Sequence, residues 1–470
     1  MHMDNLAICP DVGKSNVQAV FACLEDVEGV PQKPTAADFI LPSGQTTLSQ
    51  TPDYTNSTEM SQSLNVSAQF QNATPEGRAS FPMYLRIPSD GGKMQGHNVI
   101  LAMMGSVQEP NTATATLEDV TLDASATSLS LSSITAGRFP PRGIVTIDDE
   151  EILYTGVTET AGVITTLTGL VRGYNKTTAA EHVADAVVKL NSRTYFQEVC
   201  RHTLTIWAQY DHTVTFGTGA RVTNTSVNLS NSDGQVVSFE MSFTRMGWAG
   251  RSYLSSVPSG TQVTVKDKND MPCADAYTEG AYIKNTTRSD DNGGAGYKII
   301  AVDVSAGTIT LATSPSGWQA EDQIDAWLPK AEPVGDPLES RSARVFFDGK
   351  SGSLREGSIS IGTPVERKQE IGDEYPSIAV DTKREMSITL NTFFRKEDAK
   401  ELGRGYRGYE VGVAATFGEN AGQRLAFYAP RVKVNTPTIG TDGAALTLDR
   451  TGTLMGTKTS VEDALFITQE

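Results

Sequence analysis

Four consecutive carboxylates, Asp148-Asp149-Glu150-Glu151, are the first residues in this chain that suggest chemistry. Their chemistry would be cation binding. On a strand, however, successive side chains point to opposite faces, so the four cannot converge as the ligands of an EF-hand loop do. The run predicts a solvated hairpin tip and no calcium site. His182 follows with no second histidine near it, which favours packing or surface placement over metal ligation. The other histidines are His2, His97, His202 and His212, and none stands in a His-x-x-x-His pattern. His202 and His212 flank Trp207 and Tyr210 on predicted strands, and they read as packing or interface residues rather than an acid–base pair. No nucleophile elbow and no phosphate-binding glycine loop is present. Cys9, Cys23, Cys200 and Cys273 lack paired spacing, as expected of reduced thiols made in a cytoplasm. A glycosidase's two carboxylates need no fixed spacing, but the low aromatic content, 7%, argues against sugar chemistry. The expectation is no catalytic residue, no metal and no cofactor.

The elements that would position any site are strands, and part of their pattern occurs twice. Residues 233–247 open with Asp-Gly, alternate, and close with Met-Gly; residues 442–456 do the same at the same separation. Upstream lie Arg221-Val222-Thr223-Asn224 and Arg431-Val432-Lys433-Val434-Asn435. Further back, Leu64, Val66, Ala68 and Phe70 alternate with Asn65, Ser67 and Gln69. A return strand follows with Ala79, Phe81, Met83 and Leu85 on one face. In the second copy, Ile359 and Ile361 start the hairpin. Met386, Ile388 and Leu390 then alternate with Ser387, Thr389 and Asn391. Such alternation marks strands with one buried face. Short helical stretches, Gly96–Met104 and Lys396–Leu402, follow at matching places. The shared order is hairpin, short helix, hairpin, Asp-Gly hairpin, and Asp-Gly between alternating runs is a tight-turn signal. A duplicated unit favours an assembly protein over an enzyme, because fusing two copies builds a ring from fewer subunits.

Two segments interrupt the duplication. Residues 116–191 predict a hairpin tipped by the acidic run, then a strand and a tight Gly173-Tyr174-Asn175 turn. Residues 258–329 predict a small SH3-like or OB-like barrel with Trp318 and Trp327 as core plugs; sugar stacking is the alternative for those rings. The divisions are therefore 1–115 with 192–257 as the first unit, 116–191 and 258–329 as inserts, and 330–470 as the second unit. Both inserts are expected to project outwards and to be removable. The class is all-β with minor α. No apolar run reaches the roughly 20 residues of a membrane span, and no secretion signal is expected at the first residues. A net charge of −17 disfavours gripping nucleic acid.

The opening Asn16–Glu25 with Gly29-Val30-Pro31 and Pro34–Asp38, the run Leu64–Leu85, and Ala429–Val432 to Leu446–Leu448 together resemble siphophage major tail tube proteins. The insert signatures Ile-Asp-Asp-Glu-Glu and Arg-Gly-Tyr-Asn-x-Thr-Thr-Ala-Ala-x-His resemble a β module inserted in many tailed-phage virion proteins. The likeness implies two tandem sandwich or barrel units whose strands close a shared channel barrel on oligomerisation. Rings, of three duplicated chains, would stack into a tail tube in the virion after assembly in the host cytoplasm. Implied partners are further copies of the chain, a tape-measure protein, and tail terminator and tip proteins. DNA would pass without specific binding, and no membrane would be involved. Asn65, Ser67 and Gln69 in one copy and Ser387, Thr389 and Asn391 in the other would line the channel. The segment Glu366–Asp381, with Glu370, Asp373 and Glu374, would be a mobile loop that orders against the next ring. The alternatives are another virion part, such as a baseplate hub, terminator or decoration protein, or a carbohydrate-binding tail fibre.

Overall fold

The computed structural model describes residues 18–59, 68–72, 74–118, 121–160, 162–229, 234–339, 343–347, 350–352, 354–395, 398–457 and 462–470. The chain is mostly strand, 51%, with 6% helix, a half-barrel and a closed six-stranded barrel, so it is all-β.

The half-barrel is an inner layer of eight strands. They are β1 (Thr47–Ser49), β2 (Gly77–Tyr84), β3 (Thr213–Leu229), β4 (Val236–Phe243), β5 (Leu354–Gly362), β6 (Glu385–Phe393), β7 (Thr438–Asp442) and β8 (Ala445–Leu454). All neighbours are antiparallel, in the spatial order β1-β2-β4-β3-β5-β6-β8-β7. The first four strands and the last four therefore follow the same path. In each unit a strand leads through an arm hairpin to a second strand. A short helix and an outer hairpin follow, and then the closing strand. The arms are Tyr54–Asn56 with Gln69–Gln71, and Val365–Lys368 with Ile378–Asp381. The helices are α1 (His97–Met104) and α2 (Ala399–Tyr406).

One face of the inner layer is apolar and closed over by an outer layer. Phe81 and Met83 of β2, Val227 of β3, Phe239 of β4, Ile359 and Ile361 of β5, and Met386, Ile388 and Leu390 of β6 all lie in one core. From behind, that core is covered by strands Gln18–Leu24 and Leu204–Tyr210, the Leu425–Val434 strand and α1. The sequence of α1 is apolar on every side, and only Asn98 escapes full burial, as a wholly hydrophobic helix requires. His97 inside it meets the Tyr195 hydroxyl at 2.6 Å, and burial holds its pKa down to about 4. By contrast α2, with two glycines and three charged residues, lies on the surface with only Gly405 buried. It begins at Ala399, three residues later than the expected start.

The Asp442-Gly443 turn forms as its sequence predicts, with Asp442 opposite Ala445 and Gly443 at φ +57°. A side chain in that left-handed region would be strained, and glycine is not. Its counterpart Asp233 lies outside the described residues.

The first insert is a seven-stranded sheet between Thr114 and Leu190. The second is a closed barrel of six strands from Ser252 to Ala326. Trp318 and Trp327 are buried in it. This barrel is not an independent knob. Its Tyr282 and Trp327 share a core with Phe21, Trp207, Val214 and Phe216 of the first unit. Trp207 stacks on Phe216 at 4.4 Å and meets Tyr282 at 6.0 Å. The expectation that the barrel can be removed without consequence fails on this packing, because deletion would strip several aromatic rings of cover.

Candidate functional site

The polar face of the inner layer is built by strands of both units. Strand alternation fixes it, since every apolar residue turned to the core leaves its neighbours turned away. Across five adjacent strands the register aligns Ser238, Ser226, Ser360, Ser387 and Thr453. A second row aligns Asn228, Ser358, Thr389 and Thr451. On one side of these lie Thr47, Ser80, Glu240, Asn224, Gly362 and Glu385. On the other lie Glu356, Asn391, Asp449 and Thr438. These rows hold carboxylates at Glu240, Glu385, Glu356 and Asp449; the cations at their margins are Lys433, opposite Thr453, and Arg78, two residues from Ser80 on β2. Local bonds stiffen the face: Thr47 Oγ1 and Ser80 Oγ stand 2.7 Å apart, and Asn391 donates to Asp449. Chemically it is a surface of small hydroxyls and amides with scattered negative charge. With only Arg78 and Lys433 at its margins, its central rows offer phosphates little to hold.

The predicted lining residues are placed unequally. Ser387 and Thr389 are exposed on this face, and Asn391 is half-buried beside Asp449. Asn65 and Ser67 lie outside the described residues. Gln69 is on the exposed arm hairpin, where its Nε2 donates to Asn56 Oδ1 at 2.9 Å. It is not on the strand paired with β2, contrary to the expected hairpin. That place belongs to β1, whose Leu48 enters the core opposite Ala79. Sequence reasoning missed β3, β4, β5 and β8 as parts of the face. The signal was present in the alternating Ser226-Val227-Asn228-Leu229, Ser358-Ile359-Ser360-Ile361 and Thr451-Gly452-Thr453-Leu454.

The segment containing Glu366, Glu370, Asp373 and Glu374 is not a free loop. It is the second arm, pinned across the first unit by Arg367. The Arg367 guanidinium donates to Gly219 O at 2.6 Å, Ser242 O at 2.8 Å and Thr244 Oγ1 at 2.6 Å. Asp381 at the arm's base faces Arg201 and Arg221. Burial pushes the Asp381 carboxyl up, but these two arginines outweigh it and hold it below the usual range. Glu366 pairs with Lys368 at 2.8 Å; Glu370 and Glu374 are exposed, and Asp373 is half-buried near the tip.

The acidic run of the first insert also departs from expectation. Asp148 forms the turn at φ +52°, but Glu150 is buried. Both its oxygens accept from Arg172, at 2.8 and 2.7 Å. Gly173 N at 2.8 Å, Ala180 N at 3.1 Å and His182 Nε2 at 2.8 Å complete its shell. His182 Nδ1 reaches Asp148 at 2.8 Å. Desolvation pushes the Glu150 carboxyl up, yet the Arg172, backbone and His182 hydrogen bonds prevail and lower it to about 2. The Arg-Gly-Tyr-Asn and His182 signatures are thus the shell of one buried carboxylate, a structural keystone.

Among the described residues no group of three or more His, Cys, Asp or Glu is placed to hold a metal ion, and no helix is long and apolar enough to cross a membrane. His202 is an exposed loop residue. His212 lies at the turn after Tyr210, half-exposed and 3.4 Å from Asp211. The sequence matches no family model and no curated protein.

Proposed function

We propose that this chain is the structural subunit of a long non-contractile phage tail, polymerising as stacked rings whose bore conducts DNA. The observation that carries the reading is the hydroxyl-rich, cation-poor face spread over two equivalent units of one half-barrel. A half-barrel with open sheet edges is a liability in a monomer, and closure across copies removes it. Three copies of an eight-stranded layer would close a ring of pseudo-sixfold symmetry. The wall would then be small polar groups with carboxylates and few cations, past which a phosphate backbone slides with few counterion-releasing contacts. The closed barrel of the second insert lies behind the outer layer, two sheets away from that face, so the bore stays clear. Partners in this reading are further copies, a tape-measure protein in the bore, and terminator and tip proteins at the ends. Its place is the virion tail.

Electron microscopy of the purified chain tests this. Stacked rings of three chains are expected. Rings of six whole chains would refute the trimer and spare the tube. Monomers at high concentration, or isolated rings that never stack, would refute the tube.

A further inference from the structure

Among the described residues, β1 pairs only with β2, and β7 only with β8. These are the two outer edges of an order that repeats itself: β1-β2-β4-β3, then β5-β6-β8-β7. The two units meet where β3 pairs antiparallel with β5, from Asn224 opposite Gly362 to Leu229 opposite Gly357. Within the repeat, β5 is the counterpart of β1, since each leads into its unit's arm. Likewise β7, continuing the Leu425–Val434 strand, is the counterpart of the second half of β3, since each precedes the closing strand.

We infer that the β3–β5 junction inside the chain is the template for the junction between chains: β7 of one copy pairs antiparallel with β1 of the next. This rests on the ring reading above and deepens it by naming the contact. A second observation supports it independently of strand order. At the internal junction, the core-side residues Thr225 and Val227 of β3 and Val237 of β4 are 1–2% exposed, because β5 and the second unit cover them. At the outer edge, Ile439 of β7 and Leu446 of β8 also face the core side, opposite Leu448 and Thr441. They are 44% and 48% exposed. Apolar side chains on the buried face of an edge pair imply a missing cover. The next copy's β1, with the core residue Leu48 behind it, supplies a cover of the right kind.

The test joins a double substitution with hydrogen exchange on the full chain. Ile439→Lys with Leu446→Lys changes two exposed residues, so the monomer should keep its circular dichroism and melting temperature while ring and tube formation is lost. In wild-type polymer compared with wild-type monomer, amides of 47–49 and 438–442 should both gain protection, whereas those of β3 and β5 at the internal junction should be protected in both. Tubes formed by the double variant, or either edge segment exchanging equally in monomer and polymer, would overturn the junction and leave the tube reading standing. A wild-type chain that forms no rings at all would overturn both.

Discussion

Replacing Ser387 and Thr389 together by lysine should leave the chain folded and turn its inner surface into a DNA-binding one, whereas the single change Ile388→Lys should prevent folding. The motive is the alternation along β6. Ser387 and Thr389 are exposed between hydroxyl neighbours, while Ile388 is 5% exposed and packed in the core opposite Ile359. Exposed substitutions of this kind cost about 0.5 kcal/mol each or less. Truncating a buried isoleucine alone costs roughly 2–5 kcal/mol. An unpaired ammonium in its place adds several more, and the sum approaches the ~5–15 kcal/mol that holds a whole domain folded. In a ring of three chains the double variant adds two lysines per chain, six cations in all. If all six meet phosphates, affinity should fall by roughly 10³ between 50 and 200 mM salt. Asn391 is left in place because it is tied to Asp449. The assay is assembly in the presence of a labelled short duplex, followed by sedimentation at both salt concentrations. Failure of the double variant to fold while Ile388→Lys assembles would mean the two faces are reversed. Assembly of the double variant with no salt-sensitive retention of DNA would mean that β6 does not line the bore.

Arg367→Ala should loosen the second arm and cost roughly 2–4 kcal/mol, since it leaves the carbonyls of Gly219 and Ser242 without their buried donor; faster proteolysis within 369–377 and a lower melting temperature are the readouts, and unchanged cleavage would refute the clamp. Glu150 has its folded pKa lowered to about 2 from 4.5, so its stabilisation, about 3 kcal/mol, is complete above pH 4.5 and lost as pH falls towards 2. Glu150→Gln should flatten that acid limb, seen by hydrogen exchange within 116–191, and an unaltered pH profile would count against the network. Deleting 252–326 across a Gly/Ser bridge should yield aggregates, because Phe21, Trp207 and Phe216 lose their cover; a soluble, cooperatively folding product by light scattering and calorimetry would show that the shared core is dispensable.

Much of this architecture is legible in the sequence where one physical rule acts alone. The alternation in Glu385–Phe393 has a core on one side and none on the other, so burial follows parity. Asp442-Gly443 needs only local turn chemistry, and α1 needs only its apolar composition. The legibility ends where a second chain segment decides. Leu64–Phe70 alternates as well as β6 does, but residues 60–67 lie outside the described structure and Gln69 pairs with Asn56, away from the core. Glu150 is read as solvated because its partner Arg172 is 22 residues away and the hydrogen bonds from Gly173 and Ala180 come from backbone. Arg367 looks like any surface arginine on a polar hairpin, and only the fold puts Gly219 and Ser242 beneath it. Long-range polar satisfaction has no period, so no periodicity reveals it.

The fusion of two units changes what the junctions must do. Inside the chain, the β3–β5 contact is intramolecular, so its loop-closure cost is met by the tether and its effective concentration is high. That contact can therefore carry fixed, buried charge such as the Arg367 clamp, which orders once on folding. A junction between chains forms from separate molecules and must be reversible enough to anneal into rings. The arms differ in the sense this requires. The second arm carries Arg367 into a buried site, whereas residues 53–72, which contain the first arm, hold no lysine or arginine at all. Its described hairpin is exposed, with Tyr54 and Phe70 at 55% and 57%. Transplanting an arginine clamp into the first arm should then strengthen the chain-to-chain contact and slow ring exchange between labelled and unlabelled polymer. Exchange that stays as fast as in the wild type would show that the first arm takes no part in the junction.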